Sequence, residues 1–459
     1  MKGQTKMGTL NAVEPSGQDG AADNLQHSIS IPAERLVAGE TAAKTDLGVQ
    51  TSTYFSWSAM GEIMSAWEQI LQQNPTLSIF STPEWLRAWW EAFGSNRRLI
   101  VLVFSDSNGR VIGLAPMYSE ITKHTLFGHI RELRLVGDGS GDSDNLDLIL
   151  RSGEEKRCVA AFLGWIARNR NAGICALNTL PANSLAAKEL QFQLEAEKWS
   201  VRHTTTANSV VPLPVASESY LESLPPKFRR QIARCRRRAE SLYQVRLRRC
   251  ESESEIPLVL DALYCLHQKR WNSVREPGSF LSTERRDLYA RMAKAFFDRG
   301  WLELWSLELN GRAVAVQMNF RYRDCIYALQ EGFDTDFADL RVGFILRAAT
   351  LENFISRGAT AYDFLGGFNA QKQRWGAQPG AYSNLQFATP RSMAAYCLAF
   401  EKTAADAKEW LRGHLPPAGW NVLHRLNLSI GHADSGRTAG TAAPSVDHAK
   451  VVTQGATLQ

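Results

Sequence analysis

Residues 99–118, LIVLVFSDSNGRVIGLAPMY, and residues 302–321, LELWSLELNGRAVAVQMNFR, are built alike. In each, a β-rich run enters Asn-Gly-Arg and leaves as a second apolar strand. Asn-Gly between two such runs is a strong hairpin signal, because both central residues of a type I′ turn need positive φ. One such hairpin constrains little. Two of them, about two hundred residues apart in comparable settings, predict a duplicated unit.

The flanks extend the repeat. Ahead of the first hairpin, residues 81–94 offer a Ser/Thr cap, Pro in the first turn and a closing Gly around an apolar face, predicting a helix. After it come strand-like 133–136 and 146–150, a helix near 154–171, strand-like 174–178 and a helix near 184–198. The second unit places helices over 256–272 and 283–299 before its hairpin. Strand-like 325–331, an amphipathic helix over 341–357 ended by Gly358, and strands at 361–365 and 382–387 follow. Antiparallel strands interrupted by one long helix predict an α+β fold with a mostly antiparallel sheet.

At 459 residues the chain exceeds what one core usually organises. The expected division is a disordered segment 1–50, a first domain 51–206, a second domain 207–430 and a disordered tail 431–459. Both ends are rich in small and polar residues and bury too little apolar area to offset ordering. No apolar run approaches the roughly 18–20 residues that span a bilayer. The first residues lack the apolar core of a secretory signal. A soluble, cytoplasmic protein without membrane insertion is expected. Seven scattered Cys without a C-x-x-C pair and nine scattered His without ligand spacing argue against disulfides and against a metal.

Net charge is +5, yet 227–249 carries ten Lys/Arg against Glu240, so this segment is +9 and the remainder −4. Its first part, residues 225–243, PPKFRRQIARCRRRAESLY, reads as a helix. Phe228, Ile232, Cys235, Ala239 and Leu242 form one apolar stripe, and arginines cover much of the rest. A solvated basic face and an anion-binding face both fit. Sparse aromatic residues rank nucleic acid below small phosphorylated ligands.

The most specific stretch is 362–376, YDFLGGFNAQKQRWG. Together with the hairpin, the third strand and the glycine-bearing helix start, it resembles the GNAT-fold acyltransferases. The order is closer to the CelD-like acetyltransferases of cellulose biosynthesis, a branch related to the FemAB aminoacyl transferases with their tandem GNAT-like halves. The resemblance covers roughly 53–415 and rests on a D-x-x-G-G…K-x-x-W-G pattern, with Gln371 where the family often has Tyr. It implies two GNAT-like domains, the first degenerate and acceptor-binding, the second holding an acetyl-CoA or other acyl-CoA. The implied acceptor is an amine or hydroxyl, on a sugar-linked intermediate of exopolysaccharide or cellulose synthesis. Two rivals stand beside it: a FemAB-type transferase using aminoacyl-tRNA on a cell-wall precursor, and a binding or scaffold protein that keeps the fold.

The resemblance also distributes roles. Lys372 would aim a cation at the oxyanion or a phosphate, against the alternative of a solvated surface lysine. On that view Lys372→Met would leave melting nearly intact and lower turnover. Asp363 is either a structural partner for a donor or a group facing the acceptor. Tyr327 would protonate the leaving thiolate and Glu331 would relay the acceptor proton; their even spacing places them on one strand face. Arg341, Val342 and Gly343 open the helix that would receive the pyrophosphate, although only Gly343 matches the usual loop. Arg234 and Arg237 would add to the cofactor's anion site. Gly366, Gly367, Arg374, Trp375 and Asp144 complete the substrate-binding set, Asp144 from the loop of residues 137–147, GDGSGDSDNLD.

Overall fold

The computed structural model describes residues 40–41, 48–124, 128–169, 173–273 and 278–414. Most of the expected disordered ends, 1–50 and 431–459, lie outside the described residues. The strands are β1 (Glu40–Thr41), β2 (Gln50–Tyr54), β3 (Arg98–Ser105), β4 (Val111–His124), β5 (Gly128–Leu135), β6 (Ile149–Leu150) and β7 (Ile174–Pro181). They continue with β8 (Ser200–Pro212), β9 (Val245–Arg249), β10 (Leu302–Leu309), β11 (Arg312–Tyr322), β12 (Cys325–Phe333), β13 (Ala361–Gly366) and β14 (Gln378–Ala388). The helices are α1 (Met64–Gln73), α2 (Pro83–Phe93), α3 (Glu155–Arg168), α4 (Leu185–Ala196), α5 (Ser217–Ser223) and α6 (Pro226–Leu242). After them come α7 (Ile256–Ser273), α8 (Thr283–Asp298), α9 (Val342–Ser356), α10 (Ala370–Arg374) and α11 (Met393–His414).

All strands join one mixed sheet in the order β1-β2-β3-β4-β5-β7-β14-β8-β13-β12-β11-β10-β9, with β6 on β4. The order shows the duplication directly. Antiparallel β2-β3-β4-β5 ends in a parallel β5·β7 pair, and antiparallel β9-β10-β11-β12 ends in a parallel β12·β13 pair. The two Asn-Gly-Arg hairpins are β3–β4 and β10–β11, at matching positions in the two runs. At the centre, β8 lies beside β13 and β14 beside β7, and β8 pairs with β14 along eleven positions from Gln378↔Val210 to Ala388↔Ser200. Each half therefore completes the other's sheet, which makes the architecture a tandem GNAT-like one.

Helix starts follow their local chemistry. Thr82 accepts from Trp85 N, with Pro83 opening α2 where its missing N–H costs nothing. Helix α2 delivers Trp85 and Trp89, both with no exposed surface, into a core shared with α8. Trp85 stacks on Phe296 at 6.2 Å and meets Phe320 edge-on at 6.0 Å; Phe80 meets Tyr327 edge-on at 5.7 Å. A buried tryptophan removes roughly 150–250 Å² from water, about 4–6 kcal/mol at 25 cal/mol/Å² as an upper bound. These rings join the first half's helices to the second half's sheet. On the opposite face, α6 and α9 cover β10–β13, with Phe228, Ile232, Cys235 and Ala239 buried as the stripe predicts.

Three local expectations are corrected. Leu242 leaves the stripe and is 57% exposed, because α6 ends at that residue. The strand expected over 146–150 shrinks to β6, since Asn145 takes φ 51° and the Asp147 carboxylate holds Leu148 N at 2.8 Å. Tyr327 and Glu331 do not share a face. The β11·β12 register slips between Asn319↔Ala328 and Met318↔Gln330, a bulge at Leu329 that turns Glu331 to the α9 side while Tyr327 stays in the Trp85 core.

Candidate active site

Strands β12 and β13 pair in parallel only at Cys325↔Ala361, Ile326↔Tyr362 and Tyr327↔Asp363. Beyond that point β12 stays with β11 as far as Phe333, whereas β13, paired with β8 from Ala361↔Pro212, stays with β8 to Gly366↔Asn208. The strands splay, and the bulge at Leu329 lies on the open stretch. There the Glu331 N–H is met by the side chain of Gln330 at 3.2 Å. A cleft of about 130 Å³ occupies the splay, lined by Gln317 and Asn319 of β11, 328–331 of β12, Arg347 of α9, Tyr362 and Phe364 of β13, and Lys372 of α10.

Its lining is polar and largely buried. Arg347, 7% exposed, is ion-paired to Glu331 and lies over the rings of Phe364 at 5.0 Å and Trp375 at 5.6 Å. Gln317 donates to Glu331 at 3.1 Å and accepts from Thr350 Oγ1 at 3.2 Å. Although burial pushes the other way, the adjacent Arg347 and Arg270 charges and these hydrogen bonds hold the Glu331 carboxyl below its ordinary range.

At the mouth, β13 ends in a strained turn. Leu365 takes φ 60° and Gly367 φ 83°. A left-handed conformation is easy for Gly and costly for Leu, and Asp363 compensates by accepting from Leu365 N at 2.7 Å. Lys372 closes the turn. Its Nζ donates to the carbonyls of Phe364 (3.0 Å), Gly366 (2.6 Å) and Gly367 (3.0 Å), while Asn369 caps its short helix by accepting from Lys372 N at 2.9 Å. Burial pushes the Lys372 ammonium down to about 8, despite the nearby Asp144 carboxylate, which favours the charged form.

The loop of the first half reaches this same turn. Asp144 accepts from Gly366 N at 2.8 Å, and Asn145 donates to Asp363 Oδ2 at 3.2 Å and to the Tyr382 hydroxyl at 3.1 Å. The loop is itself anchored, since Asp142 is ion-paired to Arg285 of α8 at 3.0 Å. Burial, reinforced by the Asp144 charge, raises the Asp363 carboxyl to about 6, and burial raises Asp144 as well.

The structure thus brings together Lys372, Asp363, Gly366, Gly367, Asp144 and Glu331. Lys372 is half-buried, and its three protons are committed to the carbonyls of the turn. Trp375, expected among the substrate contacts, has no exposed surface and packs edge-on against Phe228 at 5.0 Å and Phe344 at 6.0 Å. Tyr327, 8% exposed, is a core residue at the vertex of the splay. Arg374 is exposed at the end of α10. Arg234 and Arg237 are exposed on α6, with no ion pair to them among the described residues. Arg341, at φ 50°, precedes α9 without a side-chain cap on it, and Val342 is buried. A Cβ at Gly343 would meet Phe333 at an ordinary 3.6 Å, so neighbouring side chains do not demand glycine there. Arg347, Asn319, Tyr362 and Asn145 escaped the sequence reading. The available signal was Arg347 itself, a charge within the apolar run of α9.

Residues 226–373, which contain the splay and Lys372, match the family of acetyltransferase (GNAT) domains. The protein is an acyltransferase. Among solved structures, that of FemX aligns with a TM-score of 0.50 at 11% identity, over 70% of this acyltransferase and 95% of FemX, and shares its fold. A tandem GNAT protein from the clavulanic acid biosynthesis pathway aligns at 0.42 and 12% identity, over 74% of the acyltransferase and 98% of that chain. L-PGS from Bacillus licheniformis aligns at 0.42 and 14%, over 69% and 95%. No curated protein matches the acyltransferase by sequence. None of the seven cysteines is paired, and no group of His, Cys, Asp and Glu suited to a metal occurs among the described residues. No described helix is long and apolar enough to cross a membrane.

Proposed function

We propose that the protein moves an acyl group from an acyl-CoA thioester to an amine or hydroxyl, with the donor in the splay and the acceptor at the turn shared by the two halves. The observation that carries this reading is the divergence of β12 and β13 beyond Tyr327 and Asp363. It leaves strand backbone and a polar cleft open beside a turn held by Asp144 of one half and Lys372 of the other. The start of α9 suits the donor's diphosphate, because helix N-terminal N–H groups attract anions and Gly343 leaves room for close approach.

In this reading the acceptor's lone pair attacks the thioester carbon. The new C–N or C–O bond forms, the C–S bond breaks, and the thiolate takes up a proton. The acceptor's proton passes to Asp363, whose raised carboxyl is tuned towards neutral pH. The Glu331 N–H faces the carbonyl oxygen once Gln330 releases it. Lys372 is a positioning residue that holds the Gly366–Gly367 backbone, and Asp144 orients the same turn from the first half. The acceptor class we favour is a sugar-linked amine or hydroxyl of exopolysaccharide or cellulose synthesis, in keeping with the CelD-like motif order.

A second reading, an aminoacyl-tRNA donor, is favoured by one observation: the exposed cations Lys227, Arg230, Arg234, Arg237 and Arg238 along α6. Calorimetric titration with acetyl-CoA and with aminoacyl-tRNA, on the wild type and on Arg234→Ala/Arg237→Ala, separates the two. Acetyl-CoA binding that survives the double substitution supports the first. Failure of acetyl-CoA to bind near millimolar concentration, with arginine-dependent tRNA binding, overturns it.

A further inference from the structure

The splay cleft has a feature that transfer of a plain acetyl group leaves unexplained: two buried side-chain donors on its lining have no partner. Asn319 is 1% exposed, and its Oδ1 accepts from the Tyr362 hydroxyl at 3.3 Å. The Asn319 Nδ2 has no partner, and neither has Arg347 Nε, 7% exposed and on the same lining. Trp375 Nε1, on the ring that Arg347 overlies, is a third buried donor without a partner. On the same lining Gln317 Oε1 accepts from Thr350, and Glu331 Oε2 accepts from Arg347 and Gln317. Arg347 and Lys372 share the lining with Glu331, and the carboxylates of Asp144 and Asp363 act on Lys372 from the turn. A buried donor left unmet costs about 1–3 kcal/mol, and two on one small wall imply that something accepts from them when the site is filled.

We propose that the cleft selects a short acyl group ending in a carboxylate, a dicarboxylic monothioester of the malonyl or succinyl kind, with its terminal carboxylate on Arg347 and Asn319. This rests on the acyl-CoA reading above and narrows the donor. A carboxylate supplies acceptors only and one negative charge. A methyl or alkyl terminus supplies neither and leaves both donors unmet. The volume of about 130 Å³ admits several non-hydrogen atoms, far above the roughly 10–15 Å³ that one water needs.

The test compares dissociation constants of malonyl-, succinyl-, acetyl- and butyryl-CoA on the full chain by calorimetry, for wild type and Asn319→Asp. The substitution keeps the side chain's shape and the Tyr362 bond but replaces a donor by a negative acceptor. The better of malonyl- and succinyl-CoA is expected to bind at least tenfold tighter than acetyl- or butyryl-CoA. In Asn319→Asp that ratio should fall to within about twofold of one. Acetyl-CoA binding as tightly as both carboxylated esters overturns this inference and leaves the acyl-CoA reading standing. If no CoA ester binds, that reading falls, and the anion site is judged with free malonate and succinate. A rise in melting temperature in wild type that is absent in Asn319→Asp upholds it; no rise overturns it. Should Asn319→Asp fail to fold, the wild-type ratio alone decides.

Discussion

Replacing Lys372 by Met tests whether this lysine positions the turn or acts only through its charge. The substitution removes three donors from the carbonyls of Phe364, Gly366 and Gly367. The contacts to Phe364 and Gly367 are partly buried, and a buried carbonyl left unmet costs about 1–3 kcal/mol, while the exposed Gly366 carbonyl can be rehydrated. Relief of the desolvated ammonium offsets part of that loss. A net destabilisation of about 1–3 kcal/mol follows, a drop of a few degrees in melting temperature at roughly 2–4 °C per kcal/mol. Turnover should fall by ~10²-fold, because displacing a catalytic backbone by about 1 Å has that effect. A purely electrostatic role predicts the same kinetic loss with an unchanged melt, so thermal denaturation beside steady-state kinetics distinguishes the two.

The proton on Lys372 adds a second signature. The folded state binds it less tightly than the unfolded chain, with a value of about 8 against 10.5. The associated destabilisation is fully present below about pH 8 and is relieved as pH climbs towards 10.5. The melting-temperature advantage of wild type over Lys372→Met should therefore widen between pH 8 and 10. An advantage that stays flat, or turnover that survives the substitution, refutes the positioning role.

Two further expectations concern the same turn. The acid limb of kcat/KM should rise through about pH 6 as Asp363 ionises; Asp363→Asn should abolish the limb, and Asp144→Asn should move it to lower pH by removing a like charge. A limb unmoved by both substitutions would exclude Asp363 as the base. Gly367→Ala places a side chain at φ 83°, so a loss of roughly 1–2 kcal/mol in denaturant unfolding is expected, and full wild-type stability would show that the turn relaxes at no cost.

Much of the scaffold was legible because its signals are local. Asn-Gly at residues 108–109 and 310–311 needs only the geometry of its own turn, and the Phe228–Ile232–Cys235–Ala239 stripe needs only helical periodicity. That Asp363, the Gly-Gly pair and Lys372 meet at one turn was likewise readable, because they lie within one short motif. The roles inside that motif were not readable. Whether Lys372 meets solvent, a ligand or three carbonyls depends on where β13 stops pairing with β12, a contact between segments 34 residues or more apart in sequence. The bulge at Leu329 is a second case: strict alternation places Tyr327 and Glu331 together, and one extra residue against β11 sends them to opposite faces.

The sequence by itself determined the repeat, the hairpins and the helices, since each follows from steric and periodic rules acting over a few residues. Tertiary structure alone decided that β8 and β14 lie between the two parallel pairs, that Asp144 and Asn145 reach the turn of the other half, and that Arg347 is buried against Glu331. Those outcomes depend on which distant surfaces bury one another and on how buried charges find partners. Hydrophobic burial and desolvation act over the assembled fold, and no short window of sequence contains them.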